Sequence, residues 1–316
     1  MGCSNGAQAK LLVEPGASAH TFDASSEIYD FLYESIQKKG RIVGGRSIFG
    51  SRSNYISPTR QGHAEVGGDL ATYTNAADLN LWLPRVLGAA KATFVFDIAD
   101  TLPAFGMLID RVGGIFQYTD CTVNRCMWRG KAGPGDSEPE MIEQVLNIWA
   151  LGETLGTSWP GSAPTMSVAA NRASYIMSDS VLTVASTPYP FKAFVLLVDN
   201  HLQRRWVNSV NATALCPGDR TVMLRVLMPF TAATAAVFTG IYQNAARLTG
   251  ASATLVFTPT GAGAGVSTSF ALEKLQWGQT SPVVRGKTEI DLQVDFLVRK
   301  AAVATSEIIA TSDSVI

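Results

Sequence analysis

Between Glu289 and Phe296 the chain alternates without a break. Ile290, Leu292, Val294 and Phe296 form one face, and Glu289, Asp291, Gln293 and Asp295 form the other. A period of two residues belongs to a β-strand with one face buried and one wet. The polar face carries three acids and no cation. Cross-strand pairing normally favours opposite charges in neighbouring positions. Two readings follow: a plain solvated face, or a wall that faces a polyanion and does not hold it. Phosphates passing such a wall find no cations to neutralise them.

Much of the chain repeats this strand character, and the order of its runs predicts two passes through one pattern. The first pass runs from a strand at His63–Leu70 to an amphipathic helix over Asp78–Ala90. Leu79, Trp82, Leu83, Val86 and Leu87 line one face of that helix, and Pro84 sits inside it. Strand-like runs follow at Phe105–Asp110, Phe116–Arg129 and Ile142–Leu151. The second pass has a strand at Thr221–Leu227, a helix over Thr234–Leu248, then runs at Ala253–Thr258, Ser269–Gly278 and Thr288–Lys300. Trp128 and Trp277 end equivalent strands, and Trp149 and Phe296 lie in equivalent last strands. The expected division is a leader over 1–40, with a short helix at Glu27–Lys39, and a first unit over 41–156. A bridge over 157–190, a second unit over 191–300 and a tail over 301–316 follow. The first unit opens with an extended arm holding Arg41, Arg46, Arg52 and Arg60, which either is solvated or docks on a neighbouring subunit.

Composition narrows the function. Only 16% of the 316 residues are charged, against about 25% in an average domain. Lys+Arg 25 against Asp+Glu 26 leaves a net charge of -1, too little for a protein held to nucleic acid by phosphate neutralisation. A surface so poor in charge hints at burial against partners. Cys3, Cys121, Cys126 and Cys216 fit neither a disulfide scaffold nor a zinc site. Cys121 and Cys126, five apart on one strand, are expected on opposite faces. Val226–Ala246 is uncharged but too rich in Pro, Thr, Gly, Gln and Asn for a membrane span, so no membrane insertion is expected.

Chemistry is sparsely advertised. The Gly261–Gly265 loop precedes a strand-like run, whereas a phosphate cradle needs a helix N-terminus there. His20, His63 and His201 are isolated. No catalytic residues, no cofactor and no metal are expected, and the chain is not read as an enzyme.

The ordered series of segments resembles the major tail tube protein of long-tailed, siphovirus-type bacteriophages. It comprises Ala9–Pro15, Ser51–Ser53 ahead of Val66–Leu70, Leu83–Gly88, Phe194–Asn200, Pro217–Val222 and Lys287–Lys300 after Val284–Gly286. The likeness covers about residues 9 to 300. It implies a mainly β fold: tandem tube domains of β-sandwich or barrel type, each with a flanking helix, forming a ring with a continuous inner β-barrel. It also implies stacked rings in a virion tail, assembled in the host cytoplasm, with genomic DNA passing through the lumen without specific binding. The partners implied are other copies of the chain and the tail terminator, tape measure and distal tail proteins. With two domains per chain, a ring needs three chains in pseudo-sixfold array; otherwise it needs six. Glu289, Asp291, Gln293 and Asp295 would then line the lumen, and Arg41, Arg46 and Arg52 would make ring-to-ring contacts. The competing readings are another tail or secretion-type tube protein and a β-sandwich carbohydrate-binding module. The last requires exposed Trp82, Trp128, Trp149 and Trp277.

Overall fold

The fold is described from a computed structural model. It covers residues 6–15, 22, 28–43, 60–92, 94–133, 141–156, 159, 173–232, 234–235, 250–259, 267–277, 281–282, 284, 289–302 and 304–312. Arg46, Arg52, the Gly261–Gly265 loop and most of the helix expected over Thr234–Leu248 lie outside the described residues.

The first half holds β1 (Lys10–Pro15), β2 (Ile28–Tyr29), β3 (Tyr33–Glu34), β4 (Gln37–Val43), β5 (Arg60–Tyr73), helix α1 (Ala76–Leu87), β6 (Gly88–Ala92), β7 (Val95–Ile98), β8 (Phe105–Asp110), β9 (Ile115–Lys131), β10 (Glu143–Ala150) and β11 (Gly152–Gly156). The second half holds β12 (Ser180–Val184), β13 (Thr187–Tyr189), β14 (Ala193–Asp199), β15 (Gln203–Arg205), β16 (Ala214–Cys216), β17 (Thr221–Pro229), β18 (Ala251–Phe257), β19 (Thr268–Trp277), β20 (Asp291–Arg299) and β21 (Ile308–Ser312). The chain is mainly β, and every ladder between these strands is antiparallel.

One set of pairings occurs in each half. β5 pairs β10, β10 pairs β9, β9 pairs β8, and β8 pairs β1. Likewise β17 pairs β20, β20 pairs β19, β19 pairs β18, and β18 pairs β12. The N-terminal parts of β9 and β19 pair β11 and β21. A register shift falls at matching places, between Phe105 and Met107 and between Ala251 and Ala253. The helix starts match as well. Asn75 Oδ1 accepts from the Asp78 amide at 2.8 Å, and Thr231 Oγ1 accepts from the Thr234 amide at 3.4 Å. In both, a short polar side chain satisfies an amide that the first helical turn leaves without a partner. The two halves join where β14 pairs the C-terminal part of β9. The result is one run of eight strands, in the order β4, β5, β10, β9, β14, β17, β20, β19, not closed into a barrel within the chain.

The core lies behind this run. Trp128, fully buried, packs on Phe270 of β19 with ring centroids 5.0 Å apart. Phe194 and Phe270 both contact Phe257 of β18. Helix α1 buries Leu79, Trp82, Leu83 and Val86, and Trp82 meets Phe105 edge-on at 5.9 Å. The helix ends at Gly88, whose φ of +109° favours glycine and whose amide donates to the Pro84 carbonyl. Pro84 is tolerated one turn from that end, and the helix stops at Leu87, three residues short of the Ala90 terminus expected from sequence.

Two sequence expectations are corrected. Residues 28–39 of the expected Glu27–Lys39 helix form β2, β3 and the start of β4 instead. Ile28 pairs Leu12, while Tyr33 and Glu34 pair Ala71 and Leu70. The helix-like spacing of Ile28 and Ile36 is therefore met by extended chain, because β5 and β1 both need edge partners. Cys121 and Cys126 are both buried rather than on opposite faces. Val123 pairs Ile148 and Arg125 pairs Asn147, so Asn124 is an extra residue that resets the alternation.

Replacing a fully buried tryptophan leaves a cavity. Trp128→Ala is expected to lower stability by about 3–5 kcal/mol, whereas Val181→Ala, at 48% exposure, should change it by under ~0.5 kcal/mol. Chemical denaturation of the two variants checks the contrast.

Candidate functional site

The candidate site is the open face of the eight-strand run. Its side chains fall in rows across the strands. One row reads Asp295, Arg225, Val195, Arg129, Glu143, Tyr73. The next reads Leu297, Met223, Leu197, Met127, Val145, Ala71. The face is thus banded: an ionic row beside an apolar one.

The acids predicted from sequence do not stand alone. Arg225 Nε donates to Asp295 Oδ1 at 2.7 Å and Nη2 to Oδ2 at 3.2 Å. Lys192 Nζ donates to Asp291 Oδ1 at 2.7 Å and also to Glu289. Gln293 is exposed and sits opposite Leu227. In the first half, Arg129 Nε donates to Glu143 Oε2 at 2.6 Å. From Asp295 to Glu143 the ionic row is therefore mirrored about Val195, a cation and then an acid on each side, with Tyr73 beyond Glu143. These hydrogen bonds raise the Lys192 ammonium, through Asp291 and then Glu289, and raise the Arg225 guanidinium through Asp295. The acidity read from Glu289–Asp295 belongs to one stretch of chain, while Arg225 on the neighbouring β17 and Lys192 just ahead of β14 supply the cations. Sequence reasoning missed Lys192, Arg225 and Arg129 because their partners are 97, 70 and 14 residues away. The alternation of β9 and β17 held the signal, but only the register joins them.

One rim of the face is covered. The β15–β16 hairpin reaches over the first half, and the Arg204 guanidinium stacks 3.8 Å from the Trp149 ring centroid. Its Nη2 donates to the Val66 carbonyl at 3.0 Å. Burial lowers the Arg204 pKa, and Glu65 acts against that shift. Of the predicted arm, Arg41 lies in the exposed strand β4, and Arg46 and Arg52 lie outside the described residues.

Beside β3 sits a half-buried clasp. Arg111 Nε and Nη2 hold Glu34 Oε1 and Oε2 at 2.7 and 2.8 Å. Arg111 also donates to the Ile36 carbonyl, which accepts from the Tyr118 hydroxyl at 3.1 Å as well. The Ile36 amide donates to Glu34 Oε2 at 3.0 Å. Burial works to lower the Arg111 pKa, but the Glu34 hydrogen bond and the Tyr118 and Glu34 charges carry it above its ordinary value.

The described residues' side chains and helices speak to two further kinds of site, a metal centre and a membrane span. Among the described residues no group of three or more His, Cys, Asp or Glu could hold a metal. No helix among them is long and apolar enough to cross a membrane. Burial pushes the Cys121 and Cys126 thiols up, which suppresses the reactive thiolate. Trp82 and Trp128 are fully buried and cannot form the exposed platform a carbohydrate-binding module requires.

The antiparallel sheet with its banded face of self-paired charges is that of a mainly-β protein. The family model of the phage tail tube protein matches residues 39–298. The chain belongs to that family and is a structural component of a bacteriophage tail, where it builds the tube with other tail proteins. No curated protein matches it.

Arg225 and Asp295 are each 46% exposed, so their pairing is worth little. A double-mutant cycle with Arg225→Ala and Asp295→Ala should give a coupling of about 0.2–1 kcal/mol, vanishing near 1 M salt, where screening acts within about 3 Å.

Proposed function

We propose that three chains close a pseudo-sixfold ring, that rings stack into the tail tube of a siphovirus-type phage, and that the banded face lines a lumen conducting genomic DNA. Each chain contributes two tube domains, over 41–156 and 191–300, flanked by the leader, bridge and tail. The observation that carries this reading is the strand pairing that recurs in both halves and joins at β9 and β14.

Magnitudes favour three chains. Eight strands per chain give twenty-four per ring; at about 4.8 Å between strands and a tilt of about 40°, the barrel is roughly 48 Å across its backbones. That leaves room for one duplex after side chains are subtracted. Six chains would double the width. Glu289, Asp291, Gln293 and Asp295 face the lumen, with Lys192 and Arg225 holding the three acids. DNA meets charges that are already paired and an apolar row, so its phosphates gain no new cations. Arg41, Arg46 and Arg52 make ring-to-ring contacts. Head-to-tail stacking is a contact that does not close, hence a filament. Assembly takes place in the host cytoplasm with the tail terminator, tape measure and distal tail proteins.

End-on averages of purified tubes in the electron microscope test the count. Three chains with pseudo-sixfold appearance are expected; six chains would sink the two-domain reading. Asp291→Lys with Asp295→Lys should leave tubes intact and slow DNA ejection. Loss of the tubes themselves would make these residues structural instead of lumenal.

A further inference from the structure

The core side of the eight-strand run has rows of its own. One of them crosses six strands and reads Phe296, Leu224, Leu196, Trp128, Gln144, Thr72. None of these residues is more than 2% exposed. The second-half end of the row is wholly apolar. The first-half end carries four polar groups with no protein partner among the described residues: the Thr72 hydroxyl, the Gln144 carbonyl oxygen, the Gln144 amide nitrogen and Trp128 Nε1. Gln144 stands opposite Thr72 on one side and Trp128 on the other, which brings their Cβ atoms to about 4.5–5.5 Å. The Cys126 thiol lies beside Gln144. Burial pushes that thiol up and Gln144 pulls it back, but the two make no hydrogen bond of normal geometry.

The other half of the chain shows the same place built differently. The Leu32 amide donates to the Ala71 carbonyl in the first half, and the Lys192 amide to the Leu227 carbonyl in the second, both at 2.7 Å. Ala71 therefore matches Leu227, and Thr72 matches Met228. Their cross-strand partners, Gln144 and Leu292, match in turn. Met228 and Leu292 are each 1% exposed. Two apolar side chains fill this place in one half, and two hydrogen-bonding side chains fill it in the other.

An amide and a hydroxyl removed from water without partners cost free energy that hydrocarbon does not, and buried polar side chains nearly always find a partner. Charge decides what kind of partner fits. The row offers N–H donors at Trp128 and Gln144, a carbonyl acceptor at Gln144, and a hydroxyl at Thr72 that does both. It includes no carboxylate and no cation, so an ion seated there would lack a counter-charge. A small neutral molecule that both donates and accepts matches all four groups.

We propose that the Thr72–Gln144–Trp128 row is a buried water-binding site. Ordered water accepts from the Trp128 indole and the Gln144 amide nitrogen, and donates to the Gln144 carbonyl oxygen and the Thr72 hydroxyl. Buried waters make about three such bonds each. The bonds tie β5, β10 and β9 together from the core side, whatever the number of chains in a ring.

The test uses the full-length chain. A density map fine enough to show ordered water should place a peak within about 2.7–3.2 Å of Gln144 and of Thr72 or Trp128. Gln144→Leu combined with Thr72→Val makes the row apolar, as its second-half counterpart is. The double variant should fold and lose that peak. Oxygen-17 relaxation of its free subunits should count at least one long-lived internal water fewer. A dry row, with Gln144 bonded directly to Thr72, Trp128 or Cys126, overturns the water site. A double variant that keeps the peak or the full count of long-lived waters overturns it as well. If the double variant fails to fold, the map of the unsubstituted chain decides.

Discussion

Every main-chain amide and carbonyl removed from water must find a partner, and in this chain that demand converges on β9. The strand is 17 residues long and pairs β8 and β11 with its first part and β10 and β14 with its second. It can serve both sets because its phase is reset twice. Asp120 adopts φ +52°, and Asn124 is bulged. These breaks turn Tyr118, Cys121 and then Cys126 and Trp128 all toward the core. The layering of the fold, the position of α1 against Phe105 and the join between the halves all follow from where β9 bends.

The period-two runs were legible because burial on one face imprints directly on residue type. The β18, β19 and β20 runs were readable in this way, as was α1 from the spacing of Leu79, Trp82, Leu83 and Val86. What could not be read was anything set by register across long sequence separations. Ile28 and Ile36 satisfied a helical template as well as a strand one, and the choice was made by the need of β1 and β5 for partners. The phase of Cys126 depended on a bulge with no marker in residue type. Residue-level matching of the halves was also hidden: Trp149 shares its register position with Leu297, not Phe296.

The candidate face shows the same limit in its charges. A strand read alone displays its own sign, and β20 is acidic. Its neighbour β17 supplies Arg225, and Lys192 arrives from just ahead of β14. The general preference for opposite charges on adjacent strands predicts such compensation, but it cannot name the partners. Residues 70 and 97 apart in sequence become neighbours only once the sheet is ordered.

The mirrored ionic row has a mechanical corollary. A face whose acids and bases neutralise one another carries its own counterions, fixed in place. If it lines the channel, a polyelectrolyte sliding past has no ion atmosphere to strip from the wall and none to restore behind it. Drag would then be set by water and by the Leu and Met row, and would be nearly indifferent to the salinity of the surrounding solution.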